Sequence, residues 1–151
     1  MSIFVLQQVM QEWRQITGQQ LLERYGKTEL GMVLSDPIEV EARKAGFVGV
    51  PMPGVQVRVV KPGTSEVLLM GDNDGTTILK QEGDTISGEL QVKGAGVFKR
   101  YHNHPKDTAK EFTKDKWYMT NDMVEFVPSD GKDGYDGAYK ILGNLNVDLI
   151  K

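Results

Sequence analysis

Glu23-Arg24-Tyr25-Gly26-Lys27-Thr28-Glu29 is the stretch on which the reading of this chain turns. Leu21 and Leu22 lead into it, and Leu30 through Leu34 lead out. As chemistry, it is a nucleotide-phosphate corner. Tyr25 offers a ring for a base to stack on. Gly26 lets the backbone approach a ligand and take unusual torsions. Thr28 brings a hydroxyl for a phosphate oxygen. Glu29 brings a hard oxygen of the kind Mg²⁺ takes alongside substrate phosphates. Arg24 carries a planar fork that grips a carboxylate through two parallel hydrogen bonds. As structure alone, the same residues read as a buried strand end followed by a turn with Thr28 as N-cap, and a short motif does not decide between the two without its context.

Upstream, Leu6, Val9, Met10, Trp13 and Ile16 fall at helical spacing with glutamines between them, which predicts an amphipathic helix capped by Gly18, with Trp13 in the core. Gln19–Glu23 then reads as a short strand delivering the Tyr25-Gly26 corner. A helix and strand with a ligand-binding turn at the strand's carboxyl end suits the edge of an α/β layer.

Downstream the pattern changes. Ser35–Lys44 reads as a loop, and the Gly- and Pro-dense run Gly46–Gly54 punctuates the chain. Val55, Val57 and Val59 alternate with polar residues, predicting a strand with one buried face. Glu66–Met70 is its expected hairpin partner across Lys61-Pro62-Gly63, and Gly71–Asp84 reads as a mobile polar tip. Gly88–Lys93 is a further strand and Thr108–Phe112 a short helix. Trp117–Met119 and Met123–Val127 are expected as two strands around a polar break at Thr120-Asn121-Asp122, and Ala138–Leu142 is the last strand. Short strands at this spacing predict a small antiparallel barrel or sandwich. The fold class is therefore α+β: residues 1–34 as helix, strand and nucleotide-binding corner, residues 35–142 as a β-barrel-like subdomain, and residues 143–151 as a hinge.

Composition sets limits. A formal net charge of −3 argues against a general nucleic-acid binder, which carries a basic surplus. With 0 cysteines, thiolate metal sites, disulfides and cysteine nucleophiles are excluded. No apolar run approaches the ~18 residues of a membrane span. The apolar run Ile3–Leu6 is too short for a secretory signal, and no targeting segment is evident. His102 and His104 form an H-x-H pair without an evident third ligand, and read as a surface turn rather than a zinc site.

The order of the remaining blocks turns the opening corner into a resemblance. Tyr25-Gly26-Lys27-Thr28-Glu29 resembles the Y-G-x-T-E motif of the adenylate-forming enzymes, the acyl-CoA synthetase and luciferase superfamily. Gly88-Glu89-Leu90-Gln91-Val92-Lys93-Gly94 resembles its G-E-L-x-x-[KR]-G strand. Gly96 through Tyr101, with Pro105 and Thr108, resembles its G-x-x-x-x-Y-x-x-x-P-x-x-T segment. Trp117 through Asp122 resembles W-[FY]-x-T-G-D. Gly143-Asn144 through Asp148-Leu149-Ile150-Lys151 resembles the hinge, G-R followed by D-x-I-K. The blocks cover nearly the whole chain after the first helix. Arg24 directly before the tyrosine, together with Phe47–Val60, is most similar to the malonate-activating branch.

That resemblance implies an ATP-dependent acid–thiol ligase. A carboxylic acid, here malonate, is activated as acyl-AMP and then passed to coenzyme A. It implies that Tyr25 stacks near the adenine and Gly26 belongs to the same nucleotide-binding corner. Thr28 touches the α-phosphate, Glu29 holds Mg²⁺, and Asp122 binds the ribose hydroxyls. Arg24 pairs with the free carboxylate of malonate, and Asp148 lies at the hinge. A mitochondrial location follows from the resemblance alone; the chain itself leaves the cytoplasm open. The departures are the lack of a Ser/Thr/Gly-rich phosphate loop, an end at the hinge, Asn121 in place of glycine and Asn144 in place of arginine. They lead us to expect a fragment that is inactive alone. A catalytically inactive remnant, acting as a nucleotide-binding or protein-interaction module, is the alternative.

Overall fold

A computed structural model describes residues 3–145 other than 82 and 133, with side chains from residue 8 onward. Helix α1 spans Ile3–Thr17 and stops at Gly18, whose φ of 73° is the left-handed cap and whose N–H reaches the Arg14 carbonyl at 2.9 Å. The helix is where the periodicity puts it, but its apolar face is largely uncovered. Met10 is buried, whereas Val9, Trp13 and Ile16 are 49%, 43% and 83% exposed. Trp13 is thus not a core residue.

The strands form two antiparallel sheets. The smaller contains β1 (Arg24–Lys27), β2 (Gly31–Ser35) and β3 (Val50–Pro51), in that order. The larger contains β4 (Val55–Val60), β5 (Val67–Asp72), β6 (Gly75–Ile78), β7 (Ile86–Gly94), β8 (Tyr118–Pro128) and β9 (Gly137–Asn144), ordered β6-β5-β4-β7-β8-β9. A short helix α2 (Pro105–Lys110) lies between β7 and β8. The larger sheet curls. Asp136, just before β9, accepts the Thr76 N–H of the far edge strand at 3.0 Å. Gly46–Gly49 joins the sheets, since Val48 N–H donates to the Tyr139 carbonyl and Tyr139 N–H to the Gly49 carbonyl. The result is an α+β unit with a curled antiparallel half-barrel.

The alternating valines do what their period requires. Val57 and Val59 are fully buried and meet Leu69, Leu90, Val92, Val124, Phe126 and Tyr139 in one core. Each such side chain contributes roughly 1.5–3 kcal/mol by leaving water. Phe98, Phe112, Tyr101 and Tyr118 form an aromatic cluster beside it, with Phe98 and Phe112 stacked at 5.6 Å between ring centroids. Arg58 lies 4.6 Å over the Trp117 ring and pairs with Asp115 at 2.7 Å.

Several local expectations are corrected. Gln19–Glu23 is irregular, and the strand is the Arg24–Lys27 segment itself. Thr28 therefore caps no helix; it stands in the turn of the β1–β2 hairpin. Gly71–Asp84 is not a free tip, because Asp72 and Gly75 close a hairpin between β5 and β6. The Asp72 carboxylate makes that turn by accepting the Asp74 and Gly75 N–H groups. The short helix begins at Pro105, ahead of Thr108.

The polar break at Thr120-Asn121-Asp122 is no break at all, since β8 runs through it. Met119 pairs with Gln91 and Met123 with Glu89, so Thr120, Asn121 and Asp122 stand opposite Leu90 alone. Asn121 absorbs this wide bulge with a φ of 57°, a region asparagine tolerates better than most residues. His102 and His104 lie on an exposed turn, where His104 Nδ1 meets Asp107 at 3.2 Å. Asp148 and the rest of 146–151 lie outside the described residues.

Candidate functional site

The bulge turns Asp122 toward β1. Its side chain is 9% exposed, and it is met on three sides. Tyr25 Oη donates to Oδ2 at 2.6 Å, Lys27 Nζ pairs with the same oxygen at 2.7 Å, and Asn144 Nδ2 donates to Oδ1 at 2.6 Å. Tyr25 and Lys27 reach one carboxylate because they are two apart on a strand and share a face. Asn144 reaches it because β9 pairs residue 144 directly with residue 122. The Lys27 ammonium also donates to the Thr120 carbonyl at 2.6 Å. Thr120 stiffens the bulge from within, donating from Oγ1 to the Leu90 carbonyl and accepting the Asp122 N–H.

Burial pushes the Tyr25 hydroxyl well above the ordinary phenol range, and its hydrogen bond to Asp122 pushes it further. Tyr25 is therefore a fixed donor at any physiological pH. A carboxylate offers about four lone-pair positions. Among the described residues, Tyr25, Lys27 and Asn144 occupy three, which leaves Oδ1 able to accept from a ligand hydroxyl.

Glu29 lies in the middle of the hairpin turn. Its Oε1 accepts the Tyr101 hydroxyl at 2.9 Å, and its carbonyl accepts the Phe98 N–H at 2.7 Å. The segment after β7 thus holds the turn in place. Burial, and then Glu29, raise the affinity of Tyr101 for its proton. Thr28 is exposed beside it and makes no side-chain hydrogen bond among the described residues. Arg24 is exposed too, and its guanidinium has no partner among the described residues. Arg24 and Tyr25 are adjacent on a strand, so they leave from opposite faces.

Gly26 does not take the unusual torsion expected of it. Its φ is not positive. A Cβ there would lie 2.1 Å from the Gly31 carbonyl oxygen, so the glycine is required by the hairpin's own backbone.

The structure thus brings Tyr25 and Asp122 together, sets Thr28 and Glu29 on the adjoining turn, and puts Arg24 on the reverse face. Sequence reasoning passed over Lys27, Tyr101 and Asn144 as contact residues. Lys27 fills the variable position of its motif and carries no local signal. Tyr101 is a fixed position of a quoted block, which was the available hint.

The sequence profile of the AMP-binding enzyme family matches residues 5–102. The chain belongs to the AMP-binding enzyme family. This family member is 42% identical over 149 residues to "Malonate--CoA ligase ACSF3, mitochondrial" of Homo sapiens, and 44% identical over 149 residues to the protein of that name from Xenopus laevis. In both cases 95% of this chain aligns with 24% of the relative, so the chain spans about a quarter of the length of these curated relatives. The crystal structure of apo MatB from Rhodopseudomonas palustris matches 91% of this chain and 23% of its own, with a TM-score of 0.68 and 35% identity. A malonyl-CoA ligase ternary product complex with methylmalonyl-CoA and AMP bound matches 89% of this chain and 24% of its own, with a TM-score of 0.63 and 34% identity. The architecture seen here is that of a piece of an adenylate-forming enzyme's large domain.

Proposed function

We propose that this chain forms part of an ATP-dependent acid–thiol ligase whose acid is malonate. The observation that carries the reading is the Asp122 carboxylate, held by Tyr25, Lys27 and Asn144 with acceptor capacity left on Oδ1. A fixed, buried carboxylate with a free lone pair suits the vicinal hydroxyls of a ribose. The similarity to malonate–CoA ligases supplies the substrate class.

The reaction has two halves. A malonate carboxylate oxygen attacks the α-phosphorus of ATP, forming acyl-AMP and releasing pyrophosphate. The coenzyme A thiol then adds to the acyl carbon, its proton is lost, and AMP leaves. In this reading the chain's residues position and neutralise. Asp122 holds the ribose, and Tyr25 and Gly26 form the wall beside the base. Thr28, whose hydroxyl has no partner among the described residues, donates to the α-phosphate. Arg24, on the opposite face of β1, pairs with the second carboxylate of malonate, so the strand separates the nucleotide side from the acyl side. Glu29 fits a Mg²⁺ role, because Tyr101 binds one of its oxygens and leaves the other for a cation that takes few carboxylates and completes its shell with phosphates. Such a cation would neutralise phosphate charge. Asp148 is the proposed hinge. We place the protein in the mitochondrion on the strength of the relatives' names.

The inactive-remnant alternative fits less well, since Thr28, Glu29 and Asp122 are all present and Asp122 is held in place by Tyr25 and Asn144. The test is malonate-dependent ATP–pyrophosphate exchange by the protein carrying this chain. Exchange with malonate, well above that with butyrate, is expected. Equal exchange with both acids, or none with malonate, overturns the assignment.

A further inference from the structure

Asp122 is a charged group at 6% residue exposure, and a carboxylate taken that far from water requires a cation or several donors. The hinge pattern has arginine at the position of Asn144, which is directly across the ladder from Asp122. Asparagine offers a hydrogen bond there, 2.6 Å from Oδ1, but no charge. The charge comes from the opposite side of the carboxylate. Lys27 Nζ lies 2.7 Å from Oδ2, and its side chain is 27% exposed. The Thr120 carbonyl, 2.6 Å away, holds the ammonium in place. An ammonium has three donors, and two are committed, both to residues of the bulge. Lys27 therefore fixes where the carboxylate points and also ties the smaller sheet to the larger. The residues that follow it, Thr28 and Glu29, are the turn assigned to the phosphates.

We propose that Lys27 is a positioning residue for nucleotide binding, supplying from β1 the positive charge that position 144 does not carry in this chain. The inference rests on the adenylate-forming reading of Asp122. It makes Lys27 and Asn144 a coupled pair: a neutral residue at one position requires a cation at the other. Replacing Lys27 alone leaves Asp122 with two neutral donors. Adding arginine at 144 restores a cation on the other oxygen.

The test is ATP and AMP affinity, measured by calorimetry on the purified protein that carries this chain, for the wild type, Lys27→Met, Lys27→Arg, Asn144→Arg and the Lys27→Met/Asn144→Arg pair. Lys27→Met is expected to weaken ATP binding about tenfold or more, the scale of a lost charged hydrogen bond. Lys27→Arg and the double variant are expected to stay within about threefold of the wild type. The thermal midpoint is read in parallel; a purely structural lysine would lower it without recovery of nucleotide affinity by Asn144→Arg. Unchanged affinity in Lys27→Met, or a folded double variant that fails to recover, overturns the proposal. Should Lys27→Met not fold, Lys27→Arg decides, since a large loss there shows that charge is not what position 27 supplies. A wild type that binds ATP but shows no malonate-dependent exchange refutes the substrate assignment and leaves the Lys27 result standing. A wild type that binds no nucleotide refutes both.

Discussion

The Tyr101 hydroxyl and the Glu29 carboxylate meet at 2.9 Å across 72 residues of sequence. Tyr101 comes from the segment before α2, and Glu29 from the β1–β2 turn. The contact fixes the direction of a carboxylate that would otherwise sweep through solvent. Tyr101→Phe is expected to lower unfolding free energy by only about 0.5–1.5 kcal/mol, because the site is open to water. Its effect on Mg²⁺ dependence should be larger in proportion. The Mg²⁺ concentration for half-maximal ATP binding should rise in Tyr101→Phe and rise further in Glu29→Gln. A titration in which Glu29→Gln matches the wild type would remove the metal role from Glu29.

Arg24 leaves β1 on the face opposite Tyr25, so its loss should change acid choice and spare the nucleotide. In the protein carrying this chain, Arg24→Ala should reduce kcat/KM for malonate by about 10²-fold, the scale of roughly 3 kcal/mol of transition-state contact. Butyrate should be affected far less, and KM for ATP little. Equal losses for both acids would mean that Arg24 holds the strand rather than selects the substrate.

Gly88 opens the G-E-L block, and its place is dictated by a neighbour. A Cβ there would lie 2.4 Å from the Val60 carbonyl oxygen and 2.8 Å from Val59 Cγ1. Gly26 has the same constraint against Gly31. Gly88→Ala and Gly26→Ala should each cost roughly 1–3 kcal/mol by overpacking, read as a lower urea midpoint with unchanged slope. A neutral effect in either would show that the paired strands separate more easily than their spacing indicates.

Glu23 and Asp36 carry a pH signature. The Glu23 N–H donates to Asp36 Oδ2 at 3.0 Å, and Glu23 Oε1 accepts the Gly46 N–H at 2.8 Å. Burial raises both pKa values, and the Asp36 charge raises that of Glu23 further. Their folded values lie above their unfolded ones, so the native state binds more protons. The pair's contribution to stability therefore falls as pH rises from about 4 through the folded values, and is level beyond them. Asp36→Asn, which keeps an acceptor for the Glu23 N–H, should flatten that fall. Urea unfolding from pH 4 to 7 measures it, and parallel curves for the two proteins would refute it.

The parts of this molecule legible in the sequence are those governed by local period. Val55, Val57 and Val59 announced β4, and Gly18 announced the end of α1. The failures come from contacts that no window contains. Thr120-Asn121-Asp122 has the composition of a turn. In the fold, Thr120 and Asp122 are buried and their polar groups are satisfied by Leu90, Tyr25 and Lys27, so the strand continues. The Tyr25–Asp122 bond spans 97 residues, and only the resemblance had put the two in one site. Trp13 went wrong for another reason: helical spacing shows which face is apolar but not whether anything covers it.

The wide bulge in β8 adds an even number of residues opposite Leu90, and inward and outward positions continue through it without a change of phase. Parity is therefore the property this part of the chain must keep. Losing or gaining one residue between Met119 and Met123, without a one-residue bulge like the one β9 makes at Leu142 to absorb it, would turn Val124 and Phe126 outward, bring Met123 and Glu125 into the core, and carry Asp122 to the face away from Tyr25. A change of two would leave every later side chain facing as it does now. Length variation at this point, in descendants of this chain or in redesigned versions of it, should come in steps of two.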